Sequence, residues 1–98
     1  MKTQDVVRIL KRHEAEIRAR GVRHVAIFGS TARGAARADS DIDLLVSVPP
    51  ERKFSLIDQA SLKELVADFI GREVDLLIEE DLRPRLRAAV ERDRVEVF

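Results

Sequence analysis

Two hydrophobic periods alternate along this chain, and each predicts its own kind of secondary structure. Residues 5–20 carry a stripe at near-helical spacing with polar residues between its members, formed by Val6, Leu10, His13 and Ile17. This spacing predicts a first helix, on whose apolar side His13 is expected to be a packed or rim residue and not a ligand. Residues 22–28 are β-branched and apolar, which predicts a buried strand. Residues 41–48 predict a second strand, which ends at Pro49.

The second half of the chain repeats this alternation. Ser55 and Asp58 have the spacing of a capping box. They open a predicted helix that extends to Gly71, with an apolar face made of Ile57, Leu62, Leu65, Val66 and Phe69. Residues 73–78 predict a third strand. Asp81 opens a last predicted helix that runs through Val90 with Pro84 in its first turn, and residues 94–98 predict a short edge strand.

The connection between the first two strands decides the type of sheet. Only a short helix fits there, over residues 31–36 with Ser30 at its start, because Gly34 limits its length. A crossover between parallel strands needs a dozen or more residues, so the first two strands are predicted to be antiparallel. We therefore expect an α+β fold (α/β in its order of elements) with a small mixed β-sheet and helices packed on it.

Composition narrows the class of protein. The chain has 98 residues, enough for a single domain over 1–98, and its 18 basic residues balance its 18 acidic ones. This balance argues against attraction to nucleic acid or to a membrane, and the 4% aromatic content argues against stacking on single-stranded bases. With no cysteine, signal peptide or long apolar run, we expect a cytoplasmic protein.

A pair of carboxylates at the start of the second strand indicates a metal site. Side chains alternate in a strand, so Asp41 and Asp43 point the same way with Cα atoms roughly 6.5 Å apart, twice the rise per residue. Two like charges at this separation are costly unless a cation or a proton lies between them. Both carboxylates can reach one divalent cation.

A third acid extends this site. Asp75 lies inside the apolar run of the third strand, where a buried acid is expensive unless it is paired or bound to metal. If this strand lies beside the second, Asp75 joins Asp41 and Asp43 on one face. Three carboxylates around one or two Mg²⁺ ions, spaced roughly 3.5–4 Å, form the arrangement used for phosphoryl or nucleotidyl transfer.

Gly29 and Ser30 supply groups for a phosphate. A glycine lets the backbone amide approach a phosphate closely, and the Ser30 hydroxyl adds a donor near a helix N-terminus. Arg33 and Arg37 add positive charge, since guanidinium groups suit phosphate oxygens.

The motif around these residues resembles the signature of the DNA polymerase β-like nucleotidyltransferase superfamily. It consists of Gly29-Ser30, ten intervening residues, Asp41-Ile42-Asp43 and a later isolated acid. Within this superfamily, the chain is most similar to the minimal nucleotidyltransferases, in particular the MntA-type antitoxins encoded beside a HepT-type toxin. The resemblance implies that Asp41, Asp43 and Asp75 bind two Mg²⁺ ions and that Ser30 contacts the phosphates of ATP. It also implies transfer of AMP from ATP to a tyrosine of the cognate HEPN-type toxin, a ribonuclease, which silences it.

The chain departs from this family at position 31, which is Thr where many relatives carry a larger residue.

Two other classes of function are compatible with the sequence. One is a binding antitoxin that neutralises its partner by occlusion, and the other is nucleotidyl transfer to RNA or a small molecule. A calcium loop over residues 39–50 is excluded, because Leu44 replaces the glycine of the sharp turn and Pro50 replaces the bidentate glutamate.

Overall fold

The computed structural model describes residues 1–34 and 41–98, and its helices and strands alternate along the chain. In order they are α1 (Thr3–Arg12), α2 (Glu14–Ala19), β1 (His24–Ile27), α3 (Gly29–Ala32), β2 (Ile42–Ser47), α4 (Leu56–Ile70), β3 (Val74–Ile78), a 3₁₀ turn (Glu79–Asp81), α5 (Pro84–Asp93) and β4 (Val95–Glu96). None of the helices in these described ranges is both long and apolar enough to span a membrane.

The four strands form one mixed sheet in the order β3-β2-β1-β4. β1 runs antiparallel to β2 and to β4, whereas β2 and β3 are parallel. The predicted antiparallel pairing of the first two strands and the predicted mixed sheet are therefore confirmed. The short C-terminal strand lies at the edge of the sheet, as predicted.

The two faces of the sheet are covered unequally. On the face that we call the α4 face, strand residues such as Ile27, Leu44 and Leu76 pack against α1, α2 and α4 in a large buried cluster. On the opposite face, the α5 face, the buried cluster is only Ala26, Leu45 and Val90, with Phe28, Leu77 and Leu82 packed against it. Among the described residues, α5 packs against the middle of this face, and near the start of β2 and β3 the face is open at the exposed Asp75.

The first predicted helix is wrong as a single element, because it is divided into α1 and α2 at His13. The His13 N–H bonds to the carbonyl of Leu10, three residues back, which closes α1 with a tight turn. The His13 ring stacks on Phe69 of α4, with ring centroids 3.7 Å apart. His13 is thus a packed residue, as predicted.

The face predicted for α4 is wrong at its first turn. Ile57 is 81% exposed, whereas Leu62, Val66 and Ile70 are buried at intervals of four residues. Ile57 precedes this buried stripe by five residues, so it projects from another side of the helix. The predicted cap is confirmed: Ser55 Oγ accepts a hydrogen bond from the Asp58 N–H, and the Ser55 N–H donates to Asp58 Oδ2.

The last helix begins at Pro84 and not, as predicted, at Asp81. Residues Glu79–Asp81 form the 3₁₀ turn, and Leu82 and Arg83 are extended. A proline disfavours helical geometry in the residue before it but is well suited to the first helical position. Arg83 is therefore excluded from the helix and Pro84 starts it.

Candidate functional site

α3 is a single turn that brings the Gly29-Ser30 pair against β2. It begins at Gly29, two residues before the predicted start at Thr31, directly after the extended Phe28. It ends at Ala32, so the predicted helix to Ala36 is wrong at Arg33 and Gly34, and residues 35 and 36 lie outside the described residues. Gly34 has φ +71°, a conformation that ends a helix.

Gly29 is the residue whose lack of a side chain the site requires. Its φ is +61°, in the left-handed region. A Cβ at this position would also lie 2.8 Å from Asp43 Oδ2. Backbone conformation and the proximity of Asp43 therefore both select glycine here.

Two hydroxyl groups of α3 face the Asp43 carboxylate. Ser30 Oγ lies 3.3 Å and Thr31 Oγ1 lies 3.5 Å from Asp43 Oδ2, both at the long end of hydrogen bonding. Thr31 Oγ1 also accepts a hydrogen bond from the Asp43 N–H at 3.0 Å, and Thr31 is only 2% exposed. Thr31 was not among the predicted site residues; a second hydroxyl directly after Ser30 is the signal that could have identified it.

Asp43 and Asp75 lie side by side in the sheet. They are register partners in the parallel β2–β3 ladder, so their side chains share one face about 4.8 Å apart along the hydrogen-bonding direction. This face is the α5 face, since Leu45 and Leu77, two residues further along each strand, pack against Val90. The predicted adjacency of the two strands is confirmed.

The expectation that Asp75 is buried is wrong, because its side chain is exposed at the open end of the α5 face. Asp41 is also exposed and immediately precedes β2. Among residues 1–34 and 41–98, no three or more His, Cys, Asp or Glu side chains are grouped closely enough to hold a metal ion. The structure thus brings Asp43 and Asp75 together but does not close a three-carboxylate cage with Asp41.

The chemistry of this donor set nevertheless suits a divalent cation. Asp43 and Asp75 offer carboxylate oxygens, the donors that Mg²⁺ prefers, and they lie on neighbouring strands, Asp43 half-buried and Asp75 exposed to solvent. Asp75 is exposed, so its side chain is free to turn toward the Asp43 carboxylate beside it. The assignment of Asp41, Asp43 and Asp75 as metal ligands stays a prediction.

Arg33 pairs with another helix. Its Nη1 donates to Asp93 Oδ2 at 2.8 Å, which joins the end of α3 to the end of α5. The predicted contact of Arg33 with phosphate therefore competes with an ion pair. Arg37 and Asp39, predicted respectively as a phosphate contact and a turn residue, lie outside the described residues.

A glycine–hydroxyl turn facing strand carboxylates is the arrangement of a nucleotidyltransferase, and comparison with known proteins agrees. A family model described as "Nucleotidyltransferase domain" matches residues 8–97. The chain belongs to this family of enzymes, so the predictions of a nucleotidyltransferase fold and of an enzyme are confirmed.

Individual relatives make the comparison more specific. The chain is 37% identical over 95 residues to the protein adenylyltransferase MntA of Thermococcus cleftensis, covering 96% of this chain and 94% of that one. A solved structure described as a minimal nucleotidyltransferase superposes with a TM-score of 0.81 at 37% identity, covering 97% of this chain and 95% of that one.

Two more distant structures share the fold. A toxin–antitoxin structure with AMP-PNP superposes with a TM-score of 0.75 at 20% identity, covering 90% of this chain and 72% of that one. A chain from the structure of a tri-AMPylated Shewanella oneidensis HEPN toxin in complex with MNT antitoxin superposes with a TM-score of 0.68 at 17% identity, covering 94% of this chain and 71% of that one. The family model and the relatives that are 37% identical confirm the family resemblance seen in the sequence.

Proposed function

We propose that this chain, as a single domain over residues 1–98, is an Mg²⁺-dependent adenylyltransferase that transfers AMP from ATP to a tyrosine hydroxyl of a cognate HEPN-type toxin. It thereby acts as the antitoxin of that partner. The observation that carries the proposal is the pairing of Asp43 with Asp75 beside the Gly29-Ser30 turn. The likeness to a relative named protein adenylyltransferase MntA supports the activity. The HEPN toxin complex of a structural neighbour supports the class of partner.

Each site residue has a role in this reaction. Asp41, Asp43 and Asp75 would hold two Mg²⁺ ions, which supply Lewis-acid activation of the attacking hydroxyl and neutralise charge on the triphosphate. The Gly29 amide and the Ser30 hydroxyl are donors for phosphate oxygens, and Arg33 adds a guanidinium. In the reaction, the tyrosine oxygen forms a bond to the α-phosphorus of ATP. The bond between the α-phosphorus and the oxygen that bridges to the β-phosphate breaks, and pyrophosphate leaves. The tyrosine proton passes to a carboxylate or to water.

The acceptor must be brought to the site by the partner. The open end of the α5 face leaves Asp41 and Asp75 exposed, so a hydroxyl carried on another protein can approach them directly. The near-zero net charge and low aromatic content of the chain argue against RNA as the acceptor. A protein surface therefore suits this site better than a nucleic acid.

The proposal is tested with α-labelled ATP, Mg²⁺ and the protein encoded beside this chain. We expect label to appear on a tyrosine of that protein, and we expect Asp41→Asn with Asp43→Asn to abolish the transfer. Omission of Mg²⁺, with EDTA present, is expected to do the same. Absence of label on the neighbour, or full labelling by the double variant, would contradict the proposal.

A second candidate function is neutralisation by occlusion, without chemistry. The exposure of Asp41 and Asp75 and the open carboxylate arrangement favour it, because exposed acids do not by themselves require a metal. Coexpression distinguishes the two. If the double asparagine variant still suppresses the toxicity of the partner while transferring no label, occlusion is the mechanism.

A further inference from the structure

We propose that Thr31 is a positioning residue that fixes the side chain of Asp43 for metal binding. The inference rests on the proposed function in that it takes Asp43 to be a metal ligand. Only two polar residues are buried in the described part of the chain, Thr31 at 2% and Ser47 at 6% exposure. Ser47 serves the far end of β2, where its hydroxyl donates to Glu80. Thr31 is thus the buried hydroxyl at the site.

The hydroxyl of Thr31 replaces a missing bond of the sheet. The Phe28 N–H donates to the Asp43 carbonyl, as expected of antiparallel partners, but the Phe28 carbonyl accepts instead from the Ala32 N–H of α3. The Asp43 N–H therefore loses its ladder acceptor, and Thr31 Oγ1 accepts it at 3.0 Å. An N–H without an acceptor in this part-buried site would be costly, so this contact fixes the backbone of Asp43.

The same hydroxyl also limits the Asp43 side chain. Thr31 Oγ1 and Ser30 Oγ both approach Oδ2 of the carboxylate, at 3.5 and 3.3 Å. Among residues 1–34 and 41–98, Oδ1 has no hydrogen-bond partner. Thr31 is itself anchored from α1, because Thr3 Oγ1 donates to its carbonyl at 2.5 Å. The contacts from the described residues thus hold Oδ2 and not Oδ1, and Oδ1 is the oxygen that we assign to the ligand.

The experiment measures two quantities for each variant. Electron paramagnetic resonance measures the affinity for Mn²⁺, which is the probe ion, and steady-state kinetics measures AMP transfer. Loss of a residue that orients a metal ligand typically costs about 10- to 100-fold in metal affinity or activity. We therefore expect Thr31→Val to weaken Mn²⁺ binding about 10-fold. It should lower kcat without raising the KM for the partner, whereas Thr31→Ser, which keeps the hydroxyl, should restore both.

A matched control and a coupled variant separate positioning from folding. Ser47→Ala removes the other buried hydroxyl and is expected to lower stability without changing Mn²⁺ affinity. On an Asp43→Asn background, Thr31→Val should produce no further loss of Mn²⁺ affinity, because it acts through that carboxylate. Affinities are compared at temperatures where each variant has the wild-type circular dichroism spectrum. Thr31→Ala replaces the valine variant if that variant does not fold.

The outcomes distinguish this inference from the proposed function. Wild-type Mn²⁺ affinity in Thr31→Val and Thr31→Ala, or equal loss in Thr31→Ser and Thr31→Val, would overturn the positioning role alone. Mn²⁺ binding by the wild-type chain without transfer of AMP would overturn the proposed function alone. A wild-type chain that binds no Mn²⁺ would overturn both.

Discussion

Asp43 is surrounded by groups of the chain that leave its side chain little freedom. Gly29 lies close enough that an added Cβ would come 2.8 Å from Oδ2, and two hydroxyls of α3 approach the same oxygen. Preorganised ligands cost less to order when an ion binds, which favours both affinity and correct geometry. The residues around position 29 thus orient the Asp43 carboxylate as well as offering donors to a phosphate.

Gly29→Ala is predicted to damage the site, and Gly71→Ala is its matched control. Both glycines have positive φ, +61° and +77°, so both substitutions incur backbone strain of about 1–2 kcal/mol. Only at position 29 does the new Cβ meet the Asp43 carboxylate, since nothing lies within 4 Å of a Cβ at position 71. We expect similar losses in unfolding free energy by urea titration but loss of AMP transfer only in Gly29→Ala. Equal activity in the two variants would contradict this.

Asp75→Asn is predicted to lower AMP transfer while leaving the fold intact. Asp75 is exposed, so removal of its charge should change the melting temperature little. Loss of a metal ligand should lower kcat by at least about 100-fold, the upper end of the effect of losing a supporting group. Asp81→Asn, in the 3₁₀ turn beyond the other end of β3, is the control and should retain activity. Normal transfer by Asp75→Asn would remove this residue from the site.

At the scale of elements, the ion pair between Arg33 and Asp93 joins α3 to α5. Both side chains are partly exposed, so the pair should contribute no more than about 1 kcal/mol to stability. We expect Arg33→Gln to raise the KM for ATP several-fold, because a phosphate ligand is lost, and Asp93→Asn to lower it, because Arg33 is released from its competing ion pair. If both variants raise the KM equally, Arg33 acts only as a link between helices.

Glu80 accepts hydrogen bonds at the end of β2, and its contribution to the stability of the fold is predicted to be lost in acid. Partial burial raises the pKa of Glu80, but hydrogen bonds from the Ser47 hydroxyl and the Val48 N–H, with Arg23 nearby, outweigh it and lower the pKa. Because the folded pKa is below the unfolded one, the contribution is present at neutral pH and is lost as pH falls through the lowered pKa.

Urea titrations at several pH values measure this contribution. Wild type should be more stable than Glu80→Gln at pH 7, and the difference should shrink as the medium is made acidic. Glu64→Gln, an exposed glutamate of α4 whose side chain makes no hydrogen bond in the described part of the chain, should show no such trend. A difference for Glu80→Gln that stays constant with pH would contradict the assignment.

For the molecule as a whole, the sequence predicted those features that local patterns determine. The alternation around Asp43 predicted β2, and the Ser55–Asp58 spacing predicted the start of α4. The short connection after Phe28 predicted an antiparallel pair. Each of these features depends on residues close together in the chain. There, the period of the side chains determines the type of secondary structure, and the length of the connection determines the direction of the paired strands.

Features set by tertiary contacts were not predicted. The break at His13 accompanies a stack on Phe69, and the exposure of Asp75 depends on how much of the sheet α5 covers. The role of Thr31 follows from the Phe28 carbonyl, which bonds to α3 instead of β2. None of these contacts leaves a periodic signal in the sequence.

The last prediction concerns the stability of the whole chain with its ligands. A ligand that binds only the folded state at 100 times its Kd stabilises it by about 2.7 kcal/mol, and 1 kcal/mol shifts the melting temperature of a domain this size by about 4–8 °C. We therefore expect ATP with Mg²⁺ to raise the melting temperature by roughly 10 °C or more at saturation. Removal of Mg²⁺ by EDTA should cancel most of this shift, and Asp43→Asn should cancel it with Mg²⁺ present. An equal shift by ATP in EDTA would mean that the nucleotide binds without the carboxylates, and the metal-dependent mechanism would then be wrong.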